Sequence, residues 1–179
     1  IGPATEQGFY YDFQVSNPFT PEDLELIESR MTQKIEDNLV FEKQLISRQE
    51  AIQMFSANPF KSEIIERLDE EAEVSFYKHG TFVDLCQGPH VASTGDIGAF
   101  KLLDIAGAYW RGDENRKQLT RIYGISFPKQ KELTAHLEML EEAKKRDHRK
   151  LGKEMELFTF SQKVGQGLPL WLPKGTALR

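Results

Sequence analysis

The apolar positions change period several times along the first 130 residues, and each change marks an element. Phe9, Tyr10, Tyr11 and Phe13 crowd into an aromatic run that predicts a strand. Thr20-Pro21-Glu22-Asp23 follows as a helix start, with an N-cap hydroxyl, proline at the first helical position and acids in the first turn. Leu24, Ile27, Met31 and Ile35 recur at helical spacing behind it, and the helix is expected to end near Asn38. A strand is expected from Val40 to Ile46. Ser47 and Glu50 then form a capping box for a short helix that Asn58-Pro59 breaks. Another short helix is expected from Lys61 to Leu68, an acidic loop from Asp69 to Glu73, and a hairpin over Val74–Leu85 that turns at His79-Gly80. The apolar run from Phe100 to Trp110 reads as a strand or strand pair. Arg111-Gly112-Asp113 is a turn, and a last strand runs from Leu119 to Phe127.

From Lys129 the spacing becomes helical and stays so. Leu133, Leu137, Leu140, Ala143, Leu151 and Met155 predict one long helix over 129–157, about 40 Å at ~1.5 Å per residue. Its apolar stripe is narrow, as in a connector partly free of any core. Residues 158–179, rich in Gly, Pro and apolar side chains, read as the start of a further domain. Ile1-Gly2-Pro3 is a turn signal at the other end.

Composition narrows the classes. The chain has 179 residues, an ordinary globular apolar content and a formal net charge of −5, which argues against a general nucleic-acid binder and leaves RNA contact to local basic patches. The basic run Lys144–Lys150 is one such patch, although a solvated helix face is the commoner explanation of it. No apolar run is long enough to span a bilayer. The single cysteine excludes an internal disulfide and fits a reducing, cytoplasmic compartment. No signal peptide is present and the chain opens without methionine, so it is read as a piece of a longer protein.

That cysteine sits in the chemically richest stretch, Asp84-Leu85-Cys86-Gln87-Gly88-Pro89-His90. Gly88-Pro89 disfavours a helix, so the thiol and imidazole belong to a turn. Three roles are open: a nucleophilic pair forming a thioester, two metal ligands needing further partners, or a site that activates water. The bland account makes Cys86 a buried small apolar residue and His90 a satisfied loop histidine. His79, His136 and His148 lie elsewhere in the sequence, which argues against a complete zinc site.

Taken together, the stretches IGPATEQGFYYDF, FVDLCQGPHV, AGAYWRGD, RIYGISF, LEEAKKRDHRKLGKEMELF and GLPLWLPKGTALR resemble the threonyl-tRNA synthetase family from Ile1 to Arg179. The resemblance implies an α+β fold, an antiparallel sheet with packed helices, and a division into an editing domain over 1–128, a linker helix over 129–157 and the start of a class II catalytic domain over 158–179. It implies hydrolysis of mischarged Ser-tRNA(Thr), with tRNA(Thr) as partner. A pocket that separates Thr from Ser by one methyl gains only ~1–3 kcal/mol, so a second, hydrolytic site is needed.

The family's editing site joins HxxxH to CxxxH. Cys86 and His90 match the second motif, whereas the first is expected upstream of Ile1, so the piece by itself is expected to be a poor hydrolase. The resemblance makes Asp84 and Lys61 catalytic and Tyr11 a wall of the pocket for the terminal adenosine and its ester. It favours the water-activating role. Gln87 stands where the family more usually has arginine. No cofactor is expected here; ATP, Mg and Zn belong to the parent enzyme, a homodimer whose ligands for them lie beyond Arg179. The competing readings are a free-standing Cys-His thiol enzyme and a non-catalytic module that binds tRNA or a partner.

Overall fold

A computed structural model describes residues 2–5, 8–161, 163–165 and 167–179. Part of the Ile1-Gly2-Pro3 turn signal lies outside them. The chain divides into two compact units, Ile1–Gln130 and Lys131–Arg179.

The first unit is built on two antiparallel sheets. Strand β1 (Ala4–Thr5) pairs with β2 (Gly8–Phe13), the aromatic run. Helix α1 (Pro21–Glu36) starts where the capping signal places it. The Thr20 amide donates to Asp23 Oδ2 at 2.8 Å and the Asp23 amide to Thr20 Oγ1 at 3.4 Å. Strand β3 (Glu42–Ser47) leads into α2 (Arg48–Met54), whose box is closed by the Ser47 amide donating to Glu50 Oε2 at 2.9 Å.

Helix α3 (Pro59–Glu66) begins two residues before the position expected from the sequence. Asn58-Pro59 was expected to end a helix, and it also opens one. Asn58 Oδ1 accepts the amides of Phe60 and Lys61 at 3.1 and 3.2 Å. Pro59 occupies the first helical position, where a missing N–H costs nothing. Lys61 is thereby set in the first turn.

Strands β4 (Glu73–His79) and β5 (Phe82–Leu85) form the expected hairpin, with its turn at Gly80-Thr81, one residue later than His79-Gly80, and the second sheet runs β3-β4-β5. Its inner face packs on α2 and α3, giving a cluster of Ala51, Phe55, Ile65, Val74 and Phe76. The apolar run after the Cys86 loop is a single strand, β6 (Ala99–Tyr109), with a register shift between Leu102 and Asp104. It pairs with β7 (Gln118–Phe127), and the first sheet runs β1-β2-β7-β6. The turn between them is a short 3₁₀ segment, Trp110–Gly112.

The second unit corrects one expectation. The single helix over 129–157 is two: α4 (Gln130–Lys145) and α5 (His148–Glu154). The break falls at Asp147, whose Oδ1 accepts the amides of Arg149 and Lys150 at 2.7 and 3.4 Å. A short carboxylate that caps following amides competes with helix continuation, and helical periodicity alone does not reveal that competition. Gly152 lies inside α5, and a Cβ there would meet the Phe158 ring at 2.2 Å. Beyond it β8 (Phe158–Phe160) pairs with β9 (Pro169–Trp171), and α6 spans Pro173–Leu178.

Candidate functional site

The β4–β5 hairpin explains how the site is assembled. A loop of two residues, Gly80-Thr81, sets the register at His79↔Phe82, Tyr77↔Asp84 and Phe76↔Leu85. Pairing continues past β5, with the Cys86 amide donating to the Ser75 carbonyl at 3.3 Å and Ser75 Oγ to the Cys86 carbonyl at 2.7 Å. Side chains alternate faces along a strand. Val74 and Phe76 therefore enter the core, while Ser75, Tyr77, Asp84 and Cys86 share the opposite face. Asp84 and Cys86 lie two residues apart, roughly 6–7 Å at ~3.3 Å per residue.

Asp84 gathers the first group. Its Oδ1 faces Lys61 Nζ at 2.5 Å, with side-chain exposures of only 12% for Lys61 and 15% for Asp84. The Asp84 Oδ2 atom accepts the Tyr11 hydroxyl, and Oδ1 also accepts the Leu85 amide at 2.7 Å. Lys61 Nζ lies 5.1 Å above the Phe55 ring centre. Burial, then the hydrogen bond to Asp84, raises the Tyr11 phenol far above its usual range and keeps it protonated. Three residues from β2, α3 and β5 thus meet through one carboxylate.

Cys86 and His90 form the second group. His90 Nε2 lies 3.0 Å from Cys86 Sγ, and the Gly88 amide donates to the same sulfur at 3.4 Å. The sulfur is half-buried in a loop and lies in no sealed apolar interior. Tyr77 stacks on the His90 imidazole at 4.0 Å between centres with 22° between planes. Gly88 takes φ +75°, and a Cβ there would come within 2.2 Å of the Tyr77 hydroxyl. Only glycine accommodates both the left-handed backbone and that close approach. Burial, then the nearby His79, lowers the His90 pKa, so its imidazole is neutral at neutral pH.

The five candidate residues are therefore two bonded groups joined through the Asp84–Cys86 step, and they do not all line one cavity. Tyr11 and Lys61 line a cleft of about 450 Å³ with Phe13, Asn58, Phe60 and Trp110. His90 lines a separate, more apolar groove of about 760 Å³ with Ile27, Met31, Phe41, His79 and Phe100.

Two residues of this region went unremarked in the sequence. Tyr77 is the platform for His90, and the hairpin register, which places it opposite Asp84, was the signal for it. Glu63 is the other. Its Oε2 accepts Trp110 Nε1 at 2.9 Å, and its carboxylate takes Arg116 Nη1 at 2.8 and 3.0 Å. The Arg116 and then the Trp110 hydrogen bonds hold the Glu63 carboxyl below its usual range. A lone glutamate on a helix carries no pattern that announces such a role.

Among the described residues no three His, Cys, Asp or Glu side chains come together as a metal site. No helix among the described residues is long and apolar enough to cross a membrane.

Comparison with known proteins adds the following. Residues 74–123 match the family described as "Threonyl and Alanyl tRNA synthetase second additional domain". The whole chain is 55% identical over 180 residues to a protein of Flavobacterium johnsoniae and 55% identical over 181 residues to one of Oceanobacillus iheyensis. It is 54% identical over 179 residues to one of Staphylococcus aureus, and each of these relatives bears the name "Threonine--tRNA ligase". The chain spans 28% of the length of each.

Proposed function

We propose that this chain, a relative of the threonine–tRNA ligases over its whole length and bearer of the second additional domain of the threonyl and alanyl enzymes, acts as a hydrolytic editing unit on seryl-tRNA(Thr). In this reading residues 1–128 are the editing domain, 129–157 the linker and 158–179 the entry to a catalytic domain of a larger ATP-dependent ligase. The observation that carries the reading is the Tyr11–Asp84–Lys61 cluster beside the Cys86–His90 pair.

The reaction is cleavage of the ester between serine and the terminal ribose. In this reading neutral His90, which lines the neighbouring groove and is linked to the cleft through the Asp84–Cys86 step, takes a proton from water while the water oxygen adds to the ester carbonyl. The Lys61 ammonium, held in place by Asp84, stabilises the negative oxygen that develops. Collapse breaks the bond to the ribose oxygen, which recovers a proton, releasing serine and tRNA. Tyr11, fixed as a hydrogen-bond donor, walls the cleft that receives the nucleoside end.

The 3.0 Å separation of Cys86 Sγ and His90 Nε2 favours a second reading, in which the thiolate attacks the ester and serine passes through a thioester. One experiment separates the two. Seryl-tRNA(Thr) deacylation is measured with the chain by itself and with the chain substituted for the matching segment of the Staphylococcus aureus ligase. The water mechanism requires Cys86→Ser to retain most of the rate and Lys61→Met to lose at least ~100-fold, the scale of a lost oxyanion donor. Loss of turnover in Cys86→Ser, with a trapped acyl-enzyme in the parent, would establish the thiol route. Undiminished turnover in Lys61→Met and His90→Ala would remove both.

A further inference from the structure

The rim beyond Trp110 holds a second polar cluster that the proposed chemistry does not use. Three guanidinium groups converge on one carboxylate. Arg116 Nη1 lies 2.8 Å from Glu63 Oε1, Arg67 Nη2 2.9 Å and Arg111 Nη1 3.5 Å from the same oxygen. Asp113 adds one more carboxylate, 3.6 Å from Arg116 Nε. Within this set of contacts three guanidinium groups face two carboxylates.

The three arginines are accessible. The side chains of Arg67, Arg111 and Arg116 are 55%, 36% and 36% exposed. Each arginine carries five N–H donors, and the guanidinium groups of Arg67 and Arg111 have no other acceptor than Glu63 among the described residues. Arg111 occupies left-handed backbone, φ 59° and ψ 21°, which non-glycine residues rarely take. Trp110 ties the cluster to the cleft, since its indole N–H is held by Glu63 while its ring is part of the cleft wall beside Lys61.

We infer that Arg67, Arg111 and Arg116, gathered on Glu63, form a phosphate clamp at the rim of the Tyr11–Lys61 cleft that grips the backbone of the RNA strand whose 3′ end enters it. The inference rests on the editing reading for the identity of the RNA. A guanidinium fork matches a phosphodiester bidentately. Glu63 neutralises part of the charge and gathers the three forks on one carboxylate. Arg116 and Trp110 anchor the cluster, and Arg67 and Arg111 supply the free donors.

The test uses the full chain and an RNA hairpin of the tRNA(Thr) acceptor stem ending in CCA, with binding followed by fluorescence anisotropy from 50 to 200 mM salt. Arg67→Gln/Arg111→Gln leaves the Glu63–Arg116–Trp110 core in place, and an unchanged thermal midpoint and Trp fluorescence verify the fold. The expected result is weakening of about tenfold, with the slope of log K against log salt reduced by about 1–2, as for one or two lost phosphate contacts. Arg67→Lys/Arg111→Lys should recover the slope, because charge is kept. An unchanged affinity and slope in the Gln double variant overturns the clamp. So does a loss seen only in Lys144→Gln/Lys145→Gln, or absence of salt-dependent binding by the parent chain. Hydrolysis of seryl-tRNA(Thr) is read separately, in the Staphylococcus aureus ligase carrying this chain in place of its matching segment: arginine-dependent binding without hydrolysis there overturns the editing chemistry and leaves the clamp standing.

Discussion

Replacing Asp84 with Asn removes the one charge that faces Lys61 at 2.5 Å. At that separation the gross attraction is about 6–7 kcal/mol for an effective dielectric near 20. Desolvation of two side chains left only 12% and 15% exposed cancels much of it. A net coupling of about 2 kcal/mol remains, within the range of double-mutant cycles for contacting residues. The two single variants should differ. Asp84→Asn leaves a largely enclosed ammonium over the Phe55 ring with no counter-charge among the described residues, and should cost about 2–4 kcal/mol. Lys61→Met leaves a carboxylate that still accepts the Tyr11 hydroxyl and the Leu85 amide, and should cost less. The assay is urea unfolding of the parent, both singles and the double variant. With a slope of about 2 kcal/mol/M, a coupling of 2 kcal/mol appears as a midpoint difference near 1 M. Additive singles, with coupling below about 0.5 kcal/mol, would refute the claim that the pair acts as one element.

Three further outcomes follow from the geometry. Burial lowers the pKa of both His79 and His90 from 6.5, so the unfolded chain binds more protons than the folded one on the acid side. That contribution to stability is full above pH 6.5 and is lost as pH falls through the lowered values; a melting temperature that rises between pH 6.5 and 5 would contradict it. The same shift should place the acid limb of deacylation below pH 6.5. Gly88→Ala forces an L-residue to φ +75° and drives a methyl against the Tyr77 hydroxyl. It should cost about 1–2 kcal/mol for the backbone alone and reduce hydrolysis more than stability, since His90 loses its platform; wild-type kinetics would disprove that coupling. Thr94 is 3% exposed, accepts the Leu39 amide at 2.8 Å and donates to the Lys34 carbonyl at 2.5 Å. Thr94→Val strands both groups and should cost about 1–3 kcal/mol by calorimetry.

Sequence by itself determined the local elements and the chemistry of one loop. The caps at Thr20 and Ser47 and the β4–β5 hairpin were legible because each is a bargain among neighbours in the chain: a hydroxyl and an amide three residues apart, or a two-residue turn that sets register. Cys86 and His90 were legible as a pair for the same reason, four residues apart around Gly88-Pro89. Where two local signals competed, the sequence was ambiguous. Helical spacing ran through Asp147, yet its carboxylate captured the next amides and ended the helix. Asn58-Pro59 read as a stop, although the same atoms serve as a start.

Tertiary structure decided what meets across the chain. Bottom-up reading gave Lys61 no distinction from any other surface lysine, and only folding brings its amine to a carboxylate 23 positions away while Tyr11 arrives from 73 positions off. Glu63, Trp110 and Arg116 converge in the same manner. Such contacts depend on how two sheets and a helix are placed in space, and no periodicity along the chain encodes that placement. Local order follows from steric and hydrogen-bonding rules over a few residues, whereas the site exists only once distant side chains share a desolvated space that makes their charges matter to one another.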